Sequence, residues 1–157
     1  MRYYGILLAG LVAFHGRCDA QTVSSATFSP AAFGTPSSLA SDLFNRQSIC
    51  AFGSLLTQGY SVLATGSGSG GAFSLSNGTS VIPYELQWAQ TGAASSGTDV
   101  QANVRLNGQH ESGILAGVGC LLGAKTATSI IVIRSVSLLQ ATEGVYNGTL
   151  TIILTTQ

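Results

Sequence analysis

Ala72-Phe73-Ser74-Leu75-Ser76-Asn77-Gly78-Thr79-Ser80-Val81-Ile82-Pro83-Tyr84-Glu85-Leu86-Gln87-Trp88 is the stretch that decides the fold. On both sides of Asn77-Gly78 apolar side chains alternate with small or polar ones, the period of a half-buried strand. Asn-Gly between two such runs marks a β-hairpin, because both residues accept positive φ. Tyr84, Leu86 and Trp88 fall on one strand face and are assigned to a core, since aromatic side chains bury large areas. Ligand stacking on Trp88 and Tyr84 is the alternative.

Upstream, Gly59-Tyr60-Ser61-Val62-Leu63-Ala64-Thr65 alternates in the same way and runs into Gly66-Ser67-Gly68-Ser69-Gly70-Gly71, a flexible turn. Gly66, Gly68 and Gly71 match G-x-G-x-x-G, but dinucleotide binding needs a helix directly after the glycines to hold the pyrophosphate. Here the next element is the hairpin. Downstream, Val100 to Leu106 leads to a second Asn-Gly turn signal at Asn107-Gly108. Ser129-Ile130-Ile131-Val132-Ile133-Arg134 reads as a strand buried on both faces over part of its length. Ser137 to Gly144 reads as a single helical turn or a loop. The final strand, Thr149 to Leu154, places Leu150, Ile152 and Leu154 on one face. About seven strands with one cysteine pair predict an all-β fold, an immunoglobulin-like β-sandwich.

The sequence has 157 residues, a length suited to one domain. Only 8% are charged, and the net charge is zero, which gives no field to attract nucleic acid or anionic lipid. With 45% hydrophobic residues the composition is not that of a disordered chain.

Residues 1–20 read as a signal peptide. Arg2 lies in a short polar start, and the apolar run Ile6 to Phe14 is shorter than the ~20 residues that span a bilayer. Small residues follow up to Ala20, where cleavage is expected. Cys18 as a lipid anchor is the rival reading, although Arg17 stands where lipidation needs a small residue. Removal of the signal leaves Cys50 and Cys120, and two cysteines in an exported chain predict one disulfide closing a loop of about 70 residues. Two free thiols or a metal site are the alternatives; a metal would need more ligands than these and His110.

No catalytic set is legible. His110 is the only histidine beyond the signal segment, and the acidic residues Asp42, Glu85, Asp99, Glu111 and Glu143 are scattered. A non-enzymatic protein without cofactor or metal is expected, and a hydrolase assembled from those carboxylates is the remote alternative. Asn77-Gly78-Thr79 and Asn147-Gly148-Thr149 match the N-glycosylation acceptor, but turn chemistry already selects Asn-Gly. Residues 21–40 carry Ser, Thr, Ala and Pro in an extended segment, with Ala26, Phe28, Pro30 and Ala32 on one side.

The run Gly59 to Val62, then Gly70 to Thr79, then Ile82 to Trp88, together with the ending Ala141 to Ile152, resembles spore-coat-U-type domains. Domains of that family build the pilins of archaic chaperone–usher pili. The likeness covers roughly residues 45–155, and 21–49 match poorly. The resemblance implies a sandwich of residues 41–157 that lacks its last strand, with a groove beside the final one, lined by Leu150, Ile152 and Leu154. It implies a structural subunit of a bacterial surface fimbrium that acts in cell adhesion and biofilm. Its partners would be a periplasmic chaperone, an outer-membrane usher and other pilus subunits, and it would pass through the periplasm to the cell surface. Donor-strand complementation fills such a groove with the N-terminal extension of the next subunit. The only candidate donor lies in residues 21–33, with Ala26, Phe28 and Ala32 as inward side chains. A self-contained secreted β-sandwich that binds sugar or protein is the alternative.

Overall fold

Short alternating runs, each closed by glycine-, asparagine- or proline-bearing turns, produce the strands of this protein. The computed structural model describes residues 28–53, 59–110, 120 and 122–157. In chain order the elements are β1 (Leu43–Ile49), β2 (Gly59–Gly66), β3 (Ser74–Ser76), β4 (Val81–Pro83), β5 (Glu85–Ala89), β6 (Thr98–Val100), β7 (Leu106–His110), β8 (Ala127–Ile133), α1 (Ser135–Gln140) and β9 (Leu150–Thr156). One sheet has the order β1-β8-β5-β6, another β7-β2-β9, and β3 pairs with β4. All these ladders are antiparallel. Among the described residues the fold is all-β, with the short helix α1 and a 3-10 turn at Ser69–Gly71, and residues 1–27, which include the expected signal peptide and Ala26, lie outside the described residues.

The two larger sheets share one apolar core. Leu86 and Trp88 enter it from β5, and Tyr60, Val62 and Ala64 from β2, all almost fully buried. A second cluster gathers Ile82, Tyr84, Ile133 and Leu138, with Phe73 stacked on Tyr84 at 5.6 Å. Tyr84, Leu86 and Trp88 are therefore core residues, as their shared face predicts. β8 lies between β1 and β5 and buries six of its seven residues, which is why its sequence reads as a near-continuous β-branched run.

The hairpin around Asn77 forms, but with a four-residue connection. Only Gly78 has positive φ (93°), and Asn77 instead accepts three bonds through Oδ1, from Thr79 N, Thr79 Oγ1 and Ser80 N. The side chain caps the turn that its backbone was expected to make. The second Asn-Gly is no turn between strands: Asn107 and Gly108 lie inside β7, opposite a register shift in β2 between Tyr60 and Val62. The strand expected over 100–106 is interrupted by a turn in which Asn103 has φ 61°. The glycine-rich run packs on its own backbone. A Cβ at Gly66 would lie 2.2 Å from Ala72 O, and one at Gly71 would lie 2.5 Å from the Asn103 amide. β3 follows these glycines, so the dinucleotide geometry is not built. The helix occupies 135–140, slightly upstream of the expected 137–144.

Cys50 and Cys120 form a disulfide, with Cα atoms 5.4 Å apart. It ties the end of β1 to the segment before β8. Beside it, Thr126 N donates to Ile49 O at 2.9 Å, and Ala51 N donates to Thr126 Oγ1 at 2.8 Å.

Candidate functional site

β1 and β9 are the ends of their respective sheets. Among the described residues β1 pairs only with β8, and β9 only with β2. An edge strand presents backbone N–H and C=O groups that another chain can pair with. Both strands line one groove of about 1170 Å³. Leu43, Asn45 and Gln47 contribute from β1, Leu150 and Ile152 from β9, and Ile131 and Ile133 from β8. Ile82, Tyr84 and Leu138 bring the second apolar cluster to the same space.

The groove is nearly free of charge. Among the described residues that line it, Glu143 is the one charged side chain. Burial pushes the Tyr84 hydroxyl up in pKa, while hydrogen bonds with Ser80 and then Thr142 hold Tyr146 below its ordinary value. Such a lining favours an apolar occupant over an ionic one.

Of the final-strand residues expected there, Leu150 and Ile152 face the groove. Leu154 does not line it and is buried in the main core instead. Leu154 lies opposite Val62 of β2 and joins the cluster to which β1 and β5 contribute Ile49, Leu86 and Trp88. Two of the three expected donor residues, Phe28 and Ala32, are described, and both border the groove of their own chain, Phe28 half-buried against the core and Ala32 exposed.

Residues 28–36 run along the groove as an irregular segment rather than a strand. Their backbone is held by side chains of β1. Ser29 N donates to Gln47 Oε1 at 3.0 Å, and Gln47 Nε2 donates to Ser29 O at 2.9 Å. Asn45 Nδ2 donates to Ala32 O at 3.3 Å, and its Oδ1 accepts from Gln47 Nε2 at 3.2 Å. Phe28 packs against the main core and Phe33 against the second cluster. Phe33, Asn45 and Gln47 escape a reading by pattern. Phe33 is out of phase with Phe28, and amides at inward positions break the apolar alternation that marks a strand face.

The other residues considered for chemistry have structural partners. Asp42 and Glu85 both bind Arg134, which donates through Nη1 to Asp42 Oδ2 at 2.9 Å and through Nε to Glu85 at 2.9 Å. Asp99 accepts from Gln87 Nε2 at 3.1 Å. His110 is exposed, with its backbone N–H donating to Gln90 Oε1, and Glu111 lies outside the described residues. Asn147 of the second glycosylation match bridges through its backbone to Ser76. Among the described residues no cluster of three or more metal-ligating side chains occurs, and no helix is long and apolar enough to cross a membrane.

No family model matches the chain, and no curated protein matches its sequence.

Proposed function

We propose that this protein is a structural subunit of a bacterial surface fimbrium, assembled by donor-strand complementation through a chaperone–usher pathway. The observation that carries this reading is the pair of edge strands, β1 and β9, lining one apolar, charge-poor groove that holds an irregular peptide. In this reading the two sheets are an immunoglobulin-like sandwich with one strand missing between β1 and β9. An extended segment from a second subunit enters there. Its backbone pairs with the free edges, and its alternate side chains fill the groove. The chaperone occupies the same groove before assembly, and the usher directs the exchange. The subunit acts outside the cell, in adhesion and biofilm, without catalysis.

A self-contained secreted β-sandwich that binds sugar or protein is the second reading. The observation in its favour is that residues 28–33 already contact their own groove.

The deciding experiment appends a second copy of residues 21–33 to the C-terminus of the exported chain through a flexible Gly/Ser linker. The appended copy raises the melting temperature and lowers the tendency to aggregate, because it covers apolar area worth roughly 25 cal/mol per Å² and pairs free edges. An unchanged melting temperature together with an unchanged oligomeric state overturns the fibre reading.

A further inference from the structure

We propose that residues 28–33 are a displaceable plug, which partly covers the subunit's own groove before assembly and is held there by an anchor, Phe33, specific to that state. This rests on the fibre-subunit reading above.

The plug differs from a paired strand in two ways. Its backbone bonds run to the side-chain amides of Asn45 and Gln47, not to the backbone of β1 or β9. Phe28 and Phe33 both pack on the core clusters, although they are an odd number of residues apart. In a regular strand such residues point to opposite faces, so both reach the core only because the segment is irregular. A strand docked with Phe28 inward therefore turns Phe33 outward.

These differences set the order of stability. The plug covers apolar side chains and takes the place of water as partner to the half-buried amides of Asn45 and Gln47. Yet it makes few main-chain bonds and leaves about 1170 Å³ of the groove to solvent, so part of the apolar lining stays wet. A fully paired strand displaces it. Gln47 is a positioning residue in the plugged state: its amide meets both backbone groups of Ser29. Such an arrangement keeps a free subunit from pairing with the wrong edge and releases the donor segment only when a better occupant arrives.

The test follows uptake of a fluorescent peptide of residues 21–33 by the full exported chain, read as fluorescence anisotropy over time. Wild-type protein takes the peptide up slowly. Phe33→Ala speeds uptake about tenfold, the factor that corresponds to about 1.4 kcal/mol of lost plug stability. Gln47→Glu keeps the acceptor for Ser29 N–H but sets a carboxylate against Ser29 O, and it speeds uptake in the same direction even if Phe33→Ala proves hard to purify. Phe44→Ala, on the outer face of β1, leaves the rate unchanged. Equal uptake by wild type, Phe33→Ala and Gln47→Glu overturns the plug and leaves the fibre reading standing. No uptake by any of these proteins overturns both.

Discussion

Trp88 Nε1 donates a hydrogen bond to Tyr60 Oη at 3.1 Å, joining the two large sheets through the centre of the core. The rings meet edge to face with centroids 6.3 Å apart, and each residue is 1% exposed. A buried indole N–H without a partner carries its full desolvation cost, so the phenol oxygen does more than fill space.

Tyr60→Phe keeps the ring and removes the acceptor. The expected loss is about 1–3 kcal/mol, read as a lower urea midpoint with unchanged slope, with Trp88 fluorescence as the probe. An unchanged midpoint means that the bond adds nothing to the stability of the core.

Reduction is expected to act as a second, independent loss. The Cys50–Cys120 bond spans 70 residues of sequence, and the chain-entropy model assigns such a crosslink roughly 4 kcal/mol. The double variant Cys50→Ala, Cys120→Ala therefore loses about 2–4 kcal/mol in denaturant melts. Mass spectrometry of alkylated protein before and after reduction reports whether the bond is present.

The two faces of β9 respond differently. Ile152 packs on the core beside the groove, and Ile152→Ala costs about 1–2 kcal/mol from lost burial. Ile153 is 51% exposed on the opposite face, so Ile153→Lys changes stability by less than about 0.5 kcal/mol. Added charge on an edge strand also opposes edge-to-edge pairing, so Ile153→Lys slows aggregation, measured by light scattering.

Asp42 makes the acid limb of stability specific. Its carboxylate accepts from Ser135 N at 2.8 Å, at the first residue of α1, and it also binds Arg134. The bond from the Ser135 backbone, then Arg134, hold its pKa below the ordinary 3.8. A group whose folded pKa is depressed contributes above the unfolded value and loses that contribution as pH falls through the folded one. Asp42→Asn therefore lowers the melting temperature at neutral pH and flattens its fall below about pH 3.8. Parallel curves for both proteins over that range exclude this role.

The sequence read well where one short stretch settles the local choice. The alternation of Gly59 to Thr65, the β-branched run at Ser129 and the final strand at Leu150 each correspond to an element. Local pattern failed where the same residues can serve two geometries. Asn107-Gly108 has the letters of a turn but lies within β7, because pairing with β2 across a register shift takes up the positive φ of Gly108. The groove itself was half legible. That Leu150 and Ile152 share a face follows from the strand period, whereas a groove along that face was implied only by the resemblance. The role of Asn45 and Gln47 does not follow, since it depends on a peptide 13 to 18 residues earlier in the chain.

By itself, the sequence determined the β class, the hairpin at Asn77 and the shared face of the last strand, and it left two cysteines available to pair. These follow from side-chain period, turn chemistry and residue counts, all local or additive properties. Only the tertiary structure decided that β1 and β9 end their sheets beside one groove, that Leu154 belongs to the core, and that Phe33 joins Phe28 inside. Those are non-local facts: sheet order and the path of an irregular segment are fixed by which surfaces meet when the core closes, and no window of sequence contains both partners.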